Sequence, residues 1–355
     1  MEFRKERTHN PKAKIEDAKL GFGKHFTDHM FSMEYEVGRG WHDPAIVPYA
    51  PFSLEPAAMV FHYGQAVFEG LKAYHGGDRR ILLFRPNMNV ARFNRSAQRL
   101  CIPVIDEAVQ LQALRELVAF DADWMPKSPG TSMYIRPLVV ATQPNLGVKP
   151  SETYRYMIVM SPVGSYYANG MSPVKIYIED DYVRSVRGAV GFTKASANYA
   201  ISMKGQVKAQ EMGYDQVLWL DGVERRYIEE VGTSNAFFVI NGQLVTPELN
   251  GSILPGITRD SVIHIAQSWG MTVVERRIPA EEIFEAHREG RLEEAFATGT
   301  AAVVSPVGEF SWNGQSIRIN DGQIGTVSQR LYDTLTSIQT GHAPDPFGWV
   351  TEVLL

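Results

Sequence analysis

The chain has 355 residues, which at roughly 150 residues per domain predicts about two domains. Lys and Arg number 35 against 40 Asp and Glu, and the resulting net charge of −5 argues against a basic surface for nucleic acid or an anionic membrane. The composition, 44% hydrophobic and 21% charged, is typical of a soluble globular protein, and no apolar stretch approaches the roughly 18 residues of a membrane span.

In the N-terminal half, residues 106–125 carry apolar side chains at near-helical spacing and are followed by Pro126, so we predict a helix there. Residues 154–160 form an apolar run rich in strand-forming residues and predict a strand. In the C-terminal half, residues 216–220 predict another strand, which Asp-Gly closes.

Two Asn-Gly pairs, Asn241-Gly242 and Asn313-Gly314, are flanked by apolar runs and predict β-hairpins. Helices are predicted from about Thr258 to Gly270 and from about Gly325 to Gly341. Strands and helices do not alternate regularly along the chain. The fold class is therefore predicted as α+β and not as a doubly wound parallel sheet.

A segment rich in Gly, Pro and Ser, residues 161–173, marks the predicted domain boundary. We predict a smaller N-terminal α+β domain at 1–165, an interdomain linker at 166–180 and a larger C-terminal domain at 181–355. The first 20 residues contain four acidic residues and no hydrophobic region, so we interpret them as a solvated lead-in and not as a targeting signal.

The single cysteine, Cys101, cannot close an internal disulfide or supply a cysteine-rich metal site. Its apolar neighbours predict that it is a small buried residue, and the near absence of cysteine fits a reduced, cytoplasmic compartment. His25 and His29 are four residues apart, but no helical metal motif surrounds them, so we expect a structural role and no metal site. The motifs of dinucleotide binding, P-loop phosphoryl transfer and serine hydrolysis are absent from the sequence.

A possible phosphate site lies at Leu254–Arg259, where Pro and Gly directly precede a predicted helix. The first amides of that helix, at Ile257 and Thr258, lack intrahelical partners and could bind an anion. The alternative is a Pro-Gly turn in which Thr258 is the N-cap. A second small-residue segment at 297–302 offers threonine hydroxyls and a glycine that allows close approach of a ligand, although a tight turn between strands explains it equally well.

Lys194 lies among small and apolar residues, and such surroundings can lower the pKa of an amine, as covalent carbonyl chemistry requires. An exposed loop lysine is the alternative. Glu230 precedes a Gly-Thr turn and could face inward from the end of a strand. Glu229 could equally be the relevant carboxylate, or the two could form a solvated acidic pair.

Taken together and in this order, seven segments resemble the branched-chain amino acid aminotransferases, a family that uses pyridoxal 5'-phosphate on the fold called type IV. The segments lie between about Phe22 and Val307 and are 68–74, 84–92, 130–137, 194–199, 230–235, 254–259 and 298–301. The resemblance implies a two-domain fold with the cofactor between the domains. It also implies reversible, ping-pong transfer of the amino group of Leu, Ile or Val to 2-oxoglutarate through an imine on Lys194.

The resemblance assigns cofactor roles to individual residues. Lys194 would carry the cofactor and move the proton, Glu230 would keep the pyridine nitrogen protonated, and Tyr199 would contact the phenolic oxygen. The other implied cofactor contacts are Arg184 and Thr233 near the ring and, for the phosphate, Arg92, Ile257, Thr258 and Thr300.

The implied substrate pocket has aromatic walls, which suit a branched aliphatic side chain. Tyr63, Arg136 and the loop 146–148 would come from the neighbouring subunit of a homodimer, and Arg136 and Tyr63 would also accept the side-chain carboxylate of glutamate. Ala301 would offer its amide to the substrate carboxylate. For each aromatic residue, core packing is the alternative. The implied substrate residues are Phe22, Tyr63, Phe68, Tyr134, Arg136, Tyr166, Thr300 and Ala301.

The sequence departs from the family at two places. The residues after Lys194 read Ala-Ser-Ala-Asn-Tyr where many members have Gly-Gly-Asn-Tyr, and Ala302 and Ser305 replace the Cys-x-x-Cys pair of some animal members. Two other functions stay open: another enzyme of this fold, namely a D-amino acid transaminase or an aminodeoxychorismate lyase, and a small-molecule-binding protein without turnover. Retention of Lys194 with Glu230 and Tyr199 argues against binding alone.

Overall fold

The computed structural model of the protein describes residues 2–76, 80–164 and 171–355. The chain forms two compact units. Unit 1 comprises Met1–Tyr166, Thr193–Ala197 and Ser337–Leu355, and unit 2 comprises Tyr167–Phe192 and Asn198–Thr336. Two short stretches of the predicted C-terminal domain thus belong to unit 1, and the predicted domain boundaries stay a prediction. Within the described ranges, no helix is long and apolar enough to cross a membrane.

Strands and helices follow the mixed order expected of an α+β chain. The strands are β1 (Arg4–Lys5), β2 (His29–Glu36), β3 (Gly40–Pro48), β4 (Ala66–Phe68), β5 (Leu71–His75), β6 (Ile81–Phe84), β7 (Ser132–Ala141), β8 (Thr153–Val163), β9 (Val174–Glu179), β10 (Gln216–Leu220), β11 (Ile228–Val231), β12 (Ser234–Ile240), β13 (Gln243–Pro247), β14 (Val273–Arg276), β15 (Leu292–Gly299), β16 (Val303–Trp312), β17 (Gln315–Arg318) and β18 (Val350–Val353). The helices are α1 (Met59–Tyr63), α2 (Pro86–Arg99), α3 (Glu107–Phe120), α4 (Ala197–Glu211), α5 (Ile257–Ser268), α6 (Ala280–Arg288) and α7 (Thr326–Gln339).

Unit 1 is built on one sheet in the order β1-β3-β2-β8-β7-β5-β6-β18, with β4 added beside β7. All its strand pairs are antiparallel except β1–β3. Side chains of α2 and α3 join those of the sheet in one core that includes Phe31, Phe93, Leu114 and Tyr156. Along β7, buried side chains alternate with half-buried ones, so one face of the strand belongs to the core and the other stays accessible.

Unit 2 contains a second sheet in the order β11-β10-β9-β16-β15-β12-β13-β14, with β17 beside β16. Because β11 also pairs with β12, the six strands from β11 to β12 in this order form a closed ring. Apolar side chains of these strands, among them Ile176, Leu218, Phe238 and Phe310, pack in one cluster. The ring fixes the ends of β11, β12 and β15. The predicted site residue Glu230 lies on β11, and Thr233, Thr300 and Ala301 lie in the turns next to these strand ends.

The predicted local elements are confirmed with small shifts at their ends. Both Asn-Gly pairs connect antiparallel strands, and all four residues have positive φ, at 50° and 69° in the first pair and 50° and 73° in the second. This is the combination that a type I′ turn requires. The predicted helix at 106–125 is α3, which ends at Phe120 and is followed by a short 3-10 turn at Ala122–Trp124. Asp106 caps α3 by accepting the amide of Ala108 at 2.7 Å.

The structure contradicts the expectations about Cys101 and the N-terminal segment and confirms the one about His29. The prediction that Cys101 is buried is wrong, because a positive φ of 56° after α2 leaves the residue exposed. The solvated lead-in is wrong at its start, since Phe3 is buried against Phe31 and the next two residues form β1. The structural role of His29 is confirmed: its buried ring accepts the amide of Thr8 at Nε2 and donates from Nδ1 to Asp121 at 2.6 Å.

Candidate active site

Lys194 lies in a short segment of unit 1 that runs beside β4. Its carbonyl accepts the amide of Phe68 at 3.1 Å, and its amide donates to Ser96 Oγ at 3.0 Å. The next residue, Ala195, forms an antiparallel bridge with Val67. The side chain is half-buried, with Nζ 5.2 Å from the centroid of the Phe68 ring. The alternative of an exposed loop lysine is therefore wrong, because its backbone is fixed on the sheet.

Four predicted substrate residues contact one another in unit 1, and one of them is Phe68, whose ring lies near Lys194. The guanidinium of Arg136 lies 4.4 Å from the centroid of the Phe68 ring and donates to the Tyr134 hydroxyl at 2.8 Å. Phe22 packs edge-on against Tyr134 with ring centroids 5.0 Å apart. Phe22 is exposed and the other three are half-buried, so core packing does not explain them. Arg136 makes these contacts within its own chain.

Gly70 and Lys72 complete this face, and the sequence reasoning gave neither a role. A Cβ atom at Gly70 would lie 2.2 Å from the Tyr134 hydroxyl oxygen, so only glycine leaves room for that tyrosine. Lys72 pairs with Tyr134 across β5 and β7, which places both side chains on the same face of the sheet. Burial lowers the pKa of the Lys72 amine to about 8. An amine of weakened basicity thus lies on the same face as the predicted substrate residues.

Arg92, a predicted phosphate ligand, forms a buried two-point ion pair with Glu69. Its Nε donates to Oε1 at 2.7 Å and its Nη2 to Oε2 at 2.9 Å. Asn89 donates to the same carboxylate at 2.8 Å. Burial would raise the pKa of Glu69, but Arg92, Lys194 and Asn89 outweigh it and lower that pKa below its usual value. Glu69 lies in the segment 68–74, yet its partner is 23 residues away and no local pattern indicates the pair.

Tyr63 and the loop 146–148, which the resemblance assigns to a neighbouring subunit, lie on exposed parts of unit 1. Tyr63 is exposed and donates its hydroxyl hydrogen to the carbonyl of Leu146. Leu146 and Val148 are exposed as well. Tyr63 and the loop are thus joined to each other. Tyr166 lies outside the described residues.

In unit 2, Glu230 is 3% exposed and pairs with Arg184, whose Nη2 is 2.7 Å from Oε2. The same Nη2 donates to the carbonyl of Ser252 at 2.5 Å. Asn235 donates its side-chain amide to the other Glu230 oxygen at 3.3 Å and to the carbonyl of Leu254 at 2.9 Å. Glu229 is buried too, so the alternative of a solvated acidic pair is wrong. Asn235 thereby links the carboxylate to the predicted phosphate turn.

That turn leads into α5, whose first residue is Ile257 and whose N-cap is Gly256. The alternative with Thr258 as the N-cap is therefore wrong, and Gly256 supplies no side-chain cap. A Cβ atom at Gly256 would lie 2.0 Å from Asn235 Oδ1, so glycine is required for this close approach. A 12-residue helix whose N-terminus lacks a side-chain cap is suited to bind a phosphate.

The remaining predicted site residues of unit 2 lie in two turns and at the start of one helix. Thr300 and Ala301 are half-buried in the turn between β15 and β16, so the interpretation as a turn between strands is correct. Tyr199 is half-buried in the first turn of α4. Thr233 is exposed in the turn between β11 and β12. Thr298 pairs with Asn235 across β15 and β12, which brings the 298–301 turn beside the site of Glu230.

Two buried polar atoms of this group lack a hydrogen-bond partner within the part of the chain that is described. They are Nε of Arg184 and Oγ1 of Thr298. A buried donor or hydroxyl without a partner is costly, so these atoms indicate a polar ligand. Together with the uncapped start of α5, they fit a cofactor that carries a phosphate and polar ring substituents.

Comparison with known proteins shows the family of the chain. The family model of amino-transferase class IV matches residues 66–310. The branched-chain-amino-acid aminotransferase 2 of Bacillus subtilis (strain 168) is 56% identical over 351 residues, which cover 99% of this chain and 97% of that protein. The branched-chain amino acid aminotransferase structure of Escherichia coli has 28% identity and a TM-score of 0.76, and the match covers 87% of this chain and 97% of that one.

A third relative, the T.th. branched-chain amino acid aminotransferase, has been solved with N-(5'-phosphopyridoxyl)-L-glutamate and with 4-methylvaleric acid. Each of these structures has 29% identity and a TM-score of 0.75, and each match covers 95% of this chain and 99% of that one. The chain belongs to the class IV aminotransferases and, within them, to the branched-chain amino acid aminotransferases. The α+β fold is confirmed, and class IV aminotransferases use pyridoxal 5'-phosphate.

Proposed function

We propose that this chain reversibly transfers the amino group of leucine, isoleucine or valine to 2-oxoglutarate in a ping-pong cycle. The reaction is that of its branched-chain aminotransferase relatives, and the glutamate adduct and branched acid bound to the T.th. enzyme indicate the two substrate classes. Within this chain, the observation that carries the proposal is the placement of Lys194. Its backbone carbonyl is held by the amide of Phe68 and its backbone amide by Ser96 Oγ.

Pyridoxal phosphate, when bound, supplies an aldehyde for covalent attachment and a cationic ring that acidifies the α-carbon of the substrate. Lys194 Nζ would hold it covalently and would later take the α-proton and return it. Glu230 would face the ring nitrogen, because a carboxylate there favours the protonated ring. Arg184 and Asn235 orient that carboxylate through the hydrogen bonds described above. Tyr199 and Thr233 are proposed ring contacts.

The amides of Ile257 and Thr258 would hold the phosphate, since α5 begins there without a side-chain cap. Thr300 would add its hydroxyl from the β15–β16 turn. Arg92 would contribute a guanidinium whose orientation Glu69 fixes. Ala301 would offer its amide to the carboxylate of the substrate.

The aromatic face of unit 1 would receive the substrate side chain. Phe22, Phe68 and Tyr134 offer apolar surface for a branched chain, and Arg136 offers a guanidinium for the distal carboxylate of glutamate. One pocket can thereby accept two different side chains. Tyr166 stays a prediction, because it lies outside the described residues.

We also propose that the chain acts as a homodimer in the cytoplasm. Phe61, Tyr63, Leu146 and Val148 are large, exposed and apolar, and the hydrogen bond from Tyr63 to Leu146 joins two of them. Such an exposed group suits a protein interface in which Tyr63 and the 146–148 loop complete the pocket of the neighbouring subunit. Sedimentation should give a dimer, and a strict monomer with full activity would contradict this part.

The central test is reductive trapping of the cofactor. Borohydride treatment of the holoenzyme followed by peptide mapping should label Lys194, and Lys194→Ala should lose both the label and turnover of leucine. Lys204→Ala, which removes an exposed lysine of α4, is the matched control and should keep both. A label on another lysine would refute the proposed role of Lys194. D-Alanine and aminodeoxychorismate, tested beside leucine, should give little or no turnover.

A further inference from the structure

Ser252, between β13 and α5, makes two side-chain contacts that together require one more proton than its hydroxyl carries. Its Oγ is within hydrogen-bond distance of Glu229 Oε1 and lies 2.7 Å from Asn250 Oδ1. Oδ1 also accepts the backbone amide of Ser252 at 2.9 Å, which fixes that atom of Asn250 as the oxygen. A hydroxyl donates one hydrogen, so both contacts are hydrogen bonds only when the Glu229 carboxyl supplies the second hydrogen.

The surroundings of Glu229 favour the same protonation state. The residue is 2% exposed, and its Oε2 is buried without a hydrogen-bond partner among the described residues. An ionised carboxylate with one unsatisfied oxygen is far more costly to bury than a neutral acid. Burial raises the pKa of Glu229 by more than Ser252, Arg184 and Asn250 lower it, and the charge of Asp221 adds to the rise.

The charges around Glu229 come from several elements. Its neighbour on β11 is Glu230, and Arg184 acts on it from the loop after β9. A cleft of about 240 Å³ also borders Glu229. The charged residues that line this cleft beside Glu229 are Arg187, Asp221, Glu224 and Arg277. Arg277 pairs with Glu224 at 2.7 Å, so one of the two cleft arginines already has a carboxylate partner.

We propose that Glu229 is a positioning residue that acts as a neutral acid. It donates to Ser252 Oγ and thereby fixes the loop in which the Ser252 carbonyl accepts Arg184. Glu230 is then the carboxylate paired with that arginine. Ser252 makes both links, because its hydroxyl contacts Glu229 and its carbonyl accepts Arg184. An ionised Glu229 would add a negative charge that competes for the guanidinium. The consequence for the cofactor rests on the proposed role of Glu230 at the ring nitrogen.

The protonation of Glu229 is tested on the apoprotein, so this test does not depend on the proposed function. Glu229→Gln keeps a donor towards Ser252, and Glu224→Gln, in the same cleft, is the matched control. The infrared carbonyl band of a buried carboxylic acid should be present at neutral pH in the wild type and in Glu224→Gln, and absent in Glu229→Gln. An unchanged band in Glu229→Gln would overturn the proposal.

The stability of the same proteins gives a second readout. A carboxyl whose pKa is raised in the folded state destabilises the fold progressively as the pH rises above its ordinary value of 4.5. The melting temperature of Glu229→Gln, relative to that of the wild type, should therefore increase with pH and then level off. A difference that does not change with pH would overturn the proposal, since an ordinary ionised carboxylate gives that result.

The positioning role is tested on the holoenzyme through the pH dependence of its visible absorbance. Ser252→Ala and Glu229→Ala should shift the midpoint by about 0.5 pH unit or more, and Glu229→Gln should restore the wild-type midpoint. An unchanged midpoint in both alanine variants would overturn the positioning role while the reaction itself stands. A wild type without any visible cofactor absorbance would overturn the proposed function and this role together.

Discussion

Arg92 and Glu69 face each other through two parallel hydrogen bonds, Nε to Oε1 at 2.7 Å and Nη2 to Oε2 at 2.9 Å. Both side chains are almost fully buried, at 4% and 1% exposure. The two-point contact fixes the plane of the guanidinium, which a single-point contact would leave free to rotate. A phosphate that binds Arg92 therefore meets a donor whose direction is already set.

Glu69→Gln should lower the free energy of unfolding by about 3 kcal/mol, because it leaves the buried charge of Arg92 without its counter-charge. Urea denaturation of the apoprotein measures the change. The matched control is Asp43→Asn, which breaks the exposed pair of Asp43 with Arg39 and should leave the midpoint unchanged. Equal midpoints for all three proteins would show that the buried pair contributes nothing to stability.

Arg136→Ala should raise the KM for glutamate by about tenfold or more and the KM for leucine much less. The guanidinium forms a charge-assisted hydrogen bond only with the substrate that carries a second carboxylate, and such a bond contributes about 1.5–3 kcal/mol. Steady-state kinetics with both amino acids test this. Arg155→Ala, which removes an arginine that lies over Phe52 in the same unit, is the control and should change neither KM. Equal increases for both substrates would remove the proposed selectivity of Arg136.

Lys72→Met should change the pH dependence of stability in the alkaline range. The folded-state pKa of Lys72 is about 8, below its usual 10.5, so between these values the unfolded chain binds more protons than the folded one. The wild type should therefore gain on the order of 2–3 kcal/mol over the variant between these two pH values. Denaturation at pH 7 and at pH 10 measures the gain. If the difference between the two proteins is the same at both pH values, the amine titrates normally.

Glu294→Gln should destabilise the protein by about 1–3 kcal/mol, because the carboxylate is buried at the start of α7. It accepts the amides of Val327 at 2.8 Å and Ser328 at 2.9 Å. The neighbouring Glu293, which is exposed and accepts the amide of Gly242, provides the control as Glu293→Gln. Thermal unfolding compares them, and a larger loss in the Glu293 variant would contradict the capping role.

The parts of the fold that depend on neighbouring residues were predictable from sequence. The two type I′ turns follow from Asn-Gly pairs. The starts of α3 and α5 follow from Asp106 and from Pro-Gly, because a few adjacent dihedral angles decide these features. The pairing of β11 with β12 that closes the ring depends on the whole sheet. Periodicity gives no information on such a partner.

In the candidate site, too, residues within local segments could be predicted, and residues that act through distant contacts could not. Lys194 and Glu230 could be singled out as candidates because they lie inside recognisable segments. Glu69 and Ser252 were missed, since each acts on a residue 23 positions away and carries no motif of its own for that contact. Cys101 was predicted wrongly because its apolar neighbours suggested burial, whereas its positive φ turns the residue outward.

Unit 1 combines segments from both ends of the sequence, and this has a consequence for biosynthesis. Its edge strand β18 is the last strand of the chain, and it pairs with β6, which is made more than 260 residues earlier. A ribosome that has translated all of unit 2 has therefore still not delivered the residues that complete the first sheet. Chains truncated before Val350 should leave β6 as an open edge, and they should aggregate.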